Sequence, residues 1–279
     1  MLYVIATPIG NLEDITLRAL RLLREADVIA CEDTRHTRKL LTHYNITTPT
    51  ISYHEHNERE RAAELIARMQ NGATIALVSD AGTPLISDPG FRLVVEAIER
   101  GIAVVPVPGA AAFVTTLMAA GLPCEEFLFL GFLPSKASAR RAKLQAVANL
   151  ESMLIFYEAP HRLIVTLQAI REVLGNRRCV VARELTKLHE EFLRGTIVEV
   201  LTEVRQRDIK GEFVLLIAPP DREQAAEQSV RTISIADEVA ELMRLEELDS
   251  RQALKRVARQ RGISKSEAYR QLLQAKSKP

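Results

Sequence analysis

The chain has no tryptophan, and aromatic residues make up only 5% of its 279 residues. That scarcity excludes an extended stacking platform of the kind that holds single-stranded nucleic acid. Cysteine is also scarce. Cys31, Cys124 and Cys179 are odd in number and far apart, which excludes a disulfide framework and a cysteine-based metal centre and points to reduced thiols in a cytosolic protein. No apolar run approaches the roughly 20 residues needed to cross a bilayer. Met1 to Ile5 reads as a strand with no basic leader before it. Neither G-x-G-x-x-G nor G-x-x-x-x-G-K-[ST] occurs, so the usual dinucleotide and nucleotide-triphosphate loops are missing. With 47% apolar and 26% charged residues, the chain is neither disordered nor fibrous.

Net charge is nearly absent as well, at +1, but it is unevenly distributed. Asp249 to Pro279 holds nine basic residues against two acidic ones, a tail of +7, so the remainder stands at −6. Such asymmetry suggests contact with a polyanion, a solvated helical face being the alternative.

Short apolar runs alternate with amphipathic stretches through the first 120 residues. Strands are predicted at Leu2–Ala6, Val28–Cys31, Thr50–Tyr53, Thr74–Val78 and Ile102–Val107. The alternation predicts βαβ units and a mostly parallel sheet covered on both faces. Gly121-Leu122-Pro123 marks a boundary. Beyond it, strands are predicted at Phe127–Leu133, Met153–Tyr157 and Cys179–Arg183, with helices near 138–149 and 159–174. Gly195–Val204 and Glu212–Ala218 follow without a long helix between them and read as an antiparallel pair. The domain reading is therefore 1–120, α/β with a mostly parallel sheet; 121–220, α/β with a mixed sheet; 221–232, a linker; and 233–279, a basic helical domain. Ser250 and Ser264 are expected helix caps, and Gly262 a tight turn between two helices. That pattern suits a helix-turn-helix or a plain packing hairpin.

Ligands of parallel sheets bind beyond the carboxyl ends of strands, and polar residues crowd those positions here. The predicted strands run into Thr7-Pro8-Ile9-Gly10-Asn11-Leu12, Glu32-Asp33-Thr34-Arg35-His36-Thr37, Ser79-Asp80-Ala81-Gly82-Thr83-Pro84 continuing to Ser87-Asp88-Pro89-Gly90, and Pro108-Gly109-Ala110-Ala111-Ala112. In the second half the strand ends are Glu158-Ala159-Pro160-His161-Arg162 and Arg183-Glu184-Leu185-Thr186-Lys187. Turn chemistry accounts for Asp-Ala-Gly and Asp-Pro-Gly equally well, and an edge salt-bridge network for Asp33, Arg35, Arg183, Glu184 and Lys187. The histidines lack a Cys/His cluster, so no metal is expected.

Taken together and in order, these blocks, with Gly131-Phe132-Leu133-Pro134, resemble the ribosomal RNA small subunit methyltransferase I family over residues 2–219. The resemblance implies the tetrapyrrole-methylase fold: two α/β units with S-adenosyl-L-methionine in the cleft between them, plus the small C-terminal helical domain. It also implies a cytoplasmic homodimer that methylates the ribose 2′-OH of a cytidine in the decoding region of 16S rRNA, acting on the small ribosomal subunit. By the same resemblance the cofactor contacts are Ile9, Gly10, Asp80, Thr83, Ala111, Ala112, Tyr157, Ala182 and Phe213.

A ribose hydroxyl is a poor nucleophile, so a group that takes its proton should help. Asp33, Glu158, Glu184 and Lys187 are candidates, with Arg35, His36 and Arg183 completing the expected catalytic set. His161 and Arg162, the cluster Lys136, Arg140 and Arg141, and the tail residues Lys255, Arg256, Arg259 and Lys265 are the expected RNA contacts, through phosphate and shape. Two other readings stay open: a methyltransferase for a small tetrapyrrole or corrin, and a ligand-sensing DNA-binding regulator.

Overall fold

The computed structural model describes residues 1–220, 235–246, 248–260 and 264–276. The chain divides into two compact units, Met1–Ala148 with Ser152–Pro219, and Asn149–Glu151 with Pro220–Pro279.

The first unit contains two five-stranded sheets. In the N-terminal sheet, β1 (Leu2–Ile5), β2 (Val28–Cys31), β3 (Thr50–Ser52), β4 (Ile75–Val78) and β5 (Val104–Val107) run parallel in the order β3-β2-β4-β1-β5. Successive side chains point to opposite faces, and each face is covered. Ile5, Ile29, Cys31 and Val78 pack against α1 (Leu17–Glu25) and α2 (Thr34–His43). Leu2, Ala30, Ile75 and Leu77 pack against α3 (Glu58–Gln70) and α4 (Phe91–Glu99). The apolar strand runs in the sequence are thus those of a sheet buried on both sides.

The second sheet is mixed, as expected. Its strands are β6 (Phe127–Phe132), β7 (Met153–Glu158), β8 (Arg178–Arg183), β9 (Glu191–Thr196) and β10 (Phe213–Ile217), in the order β6-β7-β10-β8-β9. β6 and β7 are parallel and the other pairings antiparallel. One face, with Leu154, Phe156, Val181 and Leu215, is covered by α6 (Ala137–Val147), α7 (Leu163–Leu174) and α8 (Ile197–Val204). The other, with Met153, Ile155, Val180 and Leu216, meets α5 (Ala112–Ala120) and Ile9 of the N-terminal half.

Two sequence expectations are corrected. Gly195–Val204 is the end of β9 followed by helix α8, and β10 pairs with β7 and β8. The Thr196 side chain accepts from the Glu199 N–H while the Glu199 carboxylate accepts from the Thr196 N–H, a reciprocal cap that starts the helix. Ile197, Val200, Leu201 and Val204 are buried at helical spacing, so the β-branched content misled. In the second unit, α9 (Ile235–Glu246), α10 (Ser250–Gln260) and α11 (Lys265–Lys276) share a small core of Val239, Leu254, Val257, Ala268 and Leu272. Asp249, rather than Ser250, caps α10: its carboxylate accepts the Arg251 and Gln252 N–H groups at 2.8 Å. Ser264 caps α11 as expected, accepting from the Glu267 N–H. The expected linker 221–232 and the Gly262 turn lie outside the described residues.

Candidate active site

The loops leaving β1, β4 and β5 meet the ends of β7 and β10 around a cleft of about 430 Å³. This lies within the range of roughly 300–1,000 Å³ typical of small-molecule sites. Contacts between backbones hold the loops together. Thr7 and Gly82 exchange N–H···O bonds of 2.8 and 3.1 Å, joining the first loop to the one after β4. The Thr83 hydroxyl donates to the Ala110 carbonyl at 3.1 Å, joining that loop to the one after β5. Gly10 allows a further close approach: a Cβ there would lie 2.5 Å from Lys187 Cγ and 2.9 Å from the Leu185 carbonyl. Leu85, Ser87, Glu184 and Thr186, all in the loops after β4 and β8, have positive φ although none is glycine. Such strained backbone persists only where its surroundings enforce it, and it gathers at functional sites.

Ile9, Asp80, Thr83, Ala111, Ala112, Tyr157 and Phe213, all expected cofactor contacts, line this cleft together with Glu158. Gly10 lies outside the lining and serves the loop contact just described. Ala182 is corrected: it is fully buried in the core of the second sheet, where β8 pairs with β10. Ser87, Asp88, Phe132, Pro160 and Glu212, which sequence reasoning placed in its loops, motifs and strands without giving them a site role, also line the cleft.

The expected catalytic residues do not form one constellation. Asp33 caps α2 and pairs with Arg35, 2.8 Å from its Nη2. The Arg35 side chain and backbone hold the Asp33 carboxyl well below the usual range. The Asp33 N–H donates to Asp80 Oδ1 at 3.0 Å, so Asp33 braces the cleft wall without lining it. His36 is exposed on α2. Arg183 donates to the Lys210 carbonyl at 2.7 Å. Lys187 sits between Glu184, at 3.0 Å, and Glu212, at 3.1 Å. Burial opposes its charge, but these carboxylates overcome it and raise the Lys187 pKa. It therefore holds its proton and is corrected as a base. The same lysine lowers Glu184 against the opposing effect of burial.

Glu158 is buried at the cleft wall, and both oxygens are engaged: Oε1 accepts the Ala159 N–H at 2.9 Å and Oε2 the Thr166 hydroxyl at 2.5 Å. Arg162 lies 3.5 Å from Glu158 and donates to the Leu133 carbonyl, tying β7 to the end of β6.

Asp88 differs from these. Burial first, then the neighbouring charges of Glu32 and Asp80, push its carboxyl up to about 7, with only the Ser79 hydroxyl acting the other way. Glu32 is itself raised by burial and by Asp80. Burial also lifts the Tyr157 phenol to about 12, so it remains a donor.

Among the expected RNA contacts, Lys136 and His161 are exposed. Arg141 is exposed and paired with Glu172 at 2.6 Å. Arg140 is corrected: it is 6% exposed and its guanidinium donates inward, to the carbonyls of Pro134 and Ser135. In the second unit Lys255, Arg256 and Arg259 are exposed on α10, and Lys265 at the start of α11. Arg251, Lys255 and Arg259 recur every four residues and so share one face of the helix.

The profile of the tetrapyrrole (corrin/porphyrin) methylases matches residues 1–201. Curated relatives named ribosomal RNA small subunit methyltransferase I are similar over almost the whole chain. The one from Halalkalibacterium halodurans is 50% identical over 96% of this chain and 93% of its own. The one from Pseudomonas aeruginosa is 46% identical over 99% and 98%. Among solved structures, a cobalt precorrin-4 methyltransferase superposes with a TM-score of 0.57 at 18% identity, covering 78% of this chain and 94% of its own. Diphthine synthase does so with 0.61 at 14%, covering 81% and 93%. These two likenesses bear on the fold alone.

Proposed function

The chain belongs to the tetrapyrrole methylases and, within them, to the ribosomal RNA small subunit methyltransferase I family, and on that premise we propose that it methylates the 2′-OH of a cytidine ribose in the decoding region of 16S rRNA. It is an rRNA methyltransferase that uses S-adenosyl-L-methionine. The near-full-length similarity to relatives that bear this name supports methylation of small-subunit rRNA, and the cytidine 2′-OH rests on the resemblance of the sequence motifs. The cofactor, when bound, supplies a methyl group already activated on sulfur.

The cleft suits such a ligand. Its volume is right, Ala111 and Ala112 leave its wall without bulk, and Asp80 gives it an acidic side that matches a sulfonium cation. Ile9, Asp80, Thr83, Ala111, Ala112, Tyr157 and Phe213 would hold the group. The protein's own contribution is to exclude water and to fix the hydroxyl in line with the methyl carbon. Such positioning lowers barriers by on the order of 7–11 kcal/mol in the best intramolecular cases. Outside the cleft, exposed Lys136, Arg141 and His161 and the basic row on α10 would contact RNA phosphates. The proposal includes a homodimer acting in the cytoplasm. Among the described residues no helix is long and apolar enough to cross a membrane.

The test uses labelled S-adenosyl-L-methionine and small subunits from cells lacking the modification, with the label mapped on the RNA. We expect one 2′-O-methyl on a decoding-region cytidine. Label on a base, on another nucleotide, or only on an added corrinoid would overturn the proposal, the last outcome favouring a small-molecule methyltransferase.

A further inference from the structure

Four carboxylates line the cleft: Asp80, Asp88, Glu158 and Glu212. Three have partners that fix their role. Asp80 accepts the Asp33 N–H at 3.0 Å. Glu158 spends both oxygens on Ala159 and Thr166. Glu212 pairs with Lys187 at 3.1 Å and is otherwise exposed to solvent. Asp88 has no ion-pair partner among the described residues. It follows Ser87, whose φ is +66°, and precedes Pro89, so the backbone on both sides is constrained and its carboxyl is held at the cleft wall. The charged and titratable groups that act on it are Glu32, beyond β2, and Asp80, beyond β4. Tyr157, on β7, senses the charge of Asp88 in turn. Among the described residues no cation offsets these acids at Asp88.

We propose that Asp88 takes the proton of the attacking hydroxyl during methyl transfer, an inference that rests on the methyltransferase reading above. The balance is complete. The hydroxyl oxygen forms a bond to the methyl carbon, the carbon–sulfur bond breaks, and its electron pair stays on sulfur, which becomes a neutral thioether. The hydroxyl proton passes to the Asp88 carboxylate and leaves to water after the product departs. A base whose acidity matches the working pH gains most from such a role, being both available and strong enough to accept. The same crowding of acids that raises Asp88 makes it a better acceptor than Glu184 or Asp33, which their cations hold ionised and weakly basic.

The test compares the full-length protein with Asp88→Asn and Asp88→Glu in single-turnover methylation of unmodified small subunits across pH. The unsubstituted protein should gain rate as pH rises through about 7. Asp88→Asn should lose about 10²–10⁴-fold in rate and lose that pH step, and Asp88→Glu should recover part of both. Two readouts do not depend on turnover. Calorimetry should give S-adenosyl-L-methionine affinities for Asp88→Asn within about threefold of the parent. Carboxyl-carbon NMR of the ligand-free protein should lose one resonance titrating near 7 in that variant. An Asp88→Asn protein that keeps its rate and pH step, or whose rate loss is matched by lost cofactor affinity, overturns the proposal, as does an unchanged set of NMR titrations. If the unsubstituted protein transfers nothing to small subunits, the function reading falls and this inference with it. Transfer that ignores Asp88 overturns this inference alone.

Discussion

Asp88 binds its proton more tightly in the folded chain than in the unfolded one, because burial, Glu32 and Asp80 all oppose its charge. Between its ordinary value of 3.8 and its folded value of about 7, the native state carries a proton that the unfolded state has lost. Stability from this group is therefore complete below pH 4 and declines as pH rises through about 7. Asp88→Asn, which cannot ionise, should melt higher than the parent at pH 8, and the gap should close toward pH 4. Thermal melts across pH check this; a gap that widens in acid would contradict it. The variant is then more stable and less active, the usual trade at a working site.

Glu158 makes the opposite case. Thr166→Val removes the hydroxyl that satisfies a buried carboxylate and should destabilise the first unit by about 1.5–3 kcal/mol, read from denaturant midpoints. These two acids also show how much of the site the sequence disclosed. Seven of the nine expected cofactor contacts line the cleft: five follow strands of the parallel sheet, whose ends converge by construction, and Tyr157 and Phe213 lie near the ends of β7 and β10. Asp88 was hidden inside Asp-Pro-Gly, which turn chemistry explains without any ligand. Arg140 misled because a long basic side chain reads as surface, while its head group here satisfies two carbonyls of its own loop.

At the scale of elements, the loop after β1 and the loop after β8 touch through a glycine. Gly10→Ala places a methyl group against Lys187 Cγ, Thr186 Oγ1 and the Leu185 carbonyl. The carbonyl belongs to backbone already strained at Glu184 and Thr186 and cannot yield freely. We expect a loss of about 1–3 kcal/mol in stability and weaker cofactor binding by calorimetry. An unaffected affinity would show that this close approach does not shape the cleft. The strands were readable because buried parallel strands are uninterrupted apolar runs. Helix α8 was not: Ile197-Val198-Glu199-Val200 is rich in β-branched residues, and only the reciprocal cap of Thr196 and Glu199 signals the helix. Strand order was not readable at all, because β10 finds its neighbours through packing that no local pattern encodes.

At the scale of the molecule, the −6 and +7 portions of the chain predict separable roles. The helical unit has its own small core, so removing residues 233–279 should leave the first unit folded and its cofactor affinity unchanged. RNA affinity should fall, and the slope of log K against log salt should flatten by about one for each phosphate no longer neutralised. Filter binding at several salt concentrations measures both; an unaltered slope would assign the basic row on α10 to solvent.

The order of the second sheet bears on how the protein is made. Its last strand in the chain, β10, lies at the sheet's centre, between β7 and β8. During synthesis the N-terminal sheet has all its strands once Val107 has emerged, and N-terminal segments fold first. The second sheet stays split in two until residues 213–217 arrive to close it. A chain stopped between Arg183 and Phe213 therefore exposes two unsealed strand edges, β7 and β8, as templates for association. A premature stop codon here would yield an aggregating fragment rather than a quietly shortened enzyme.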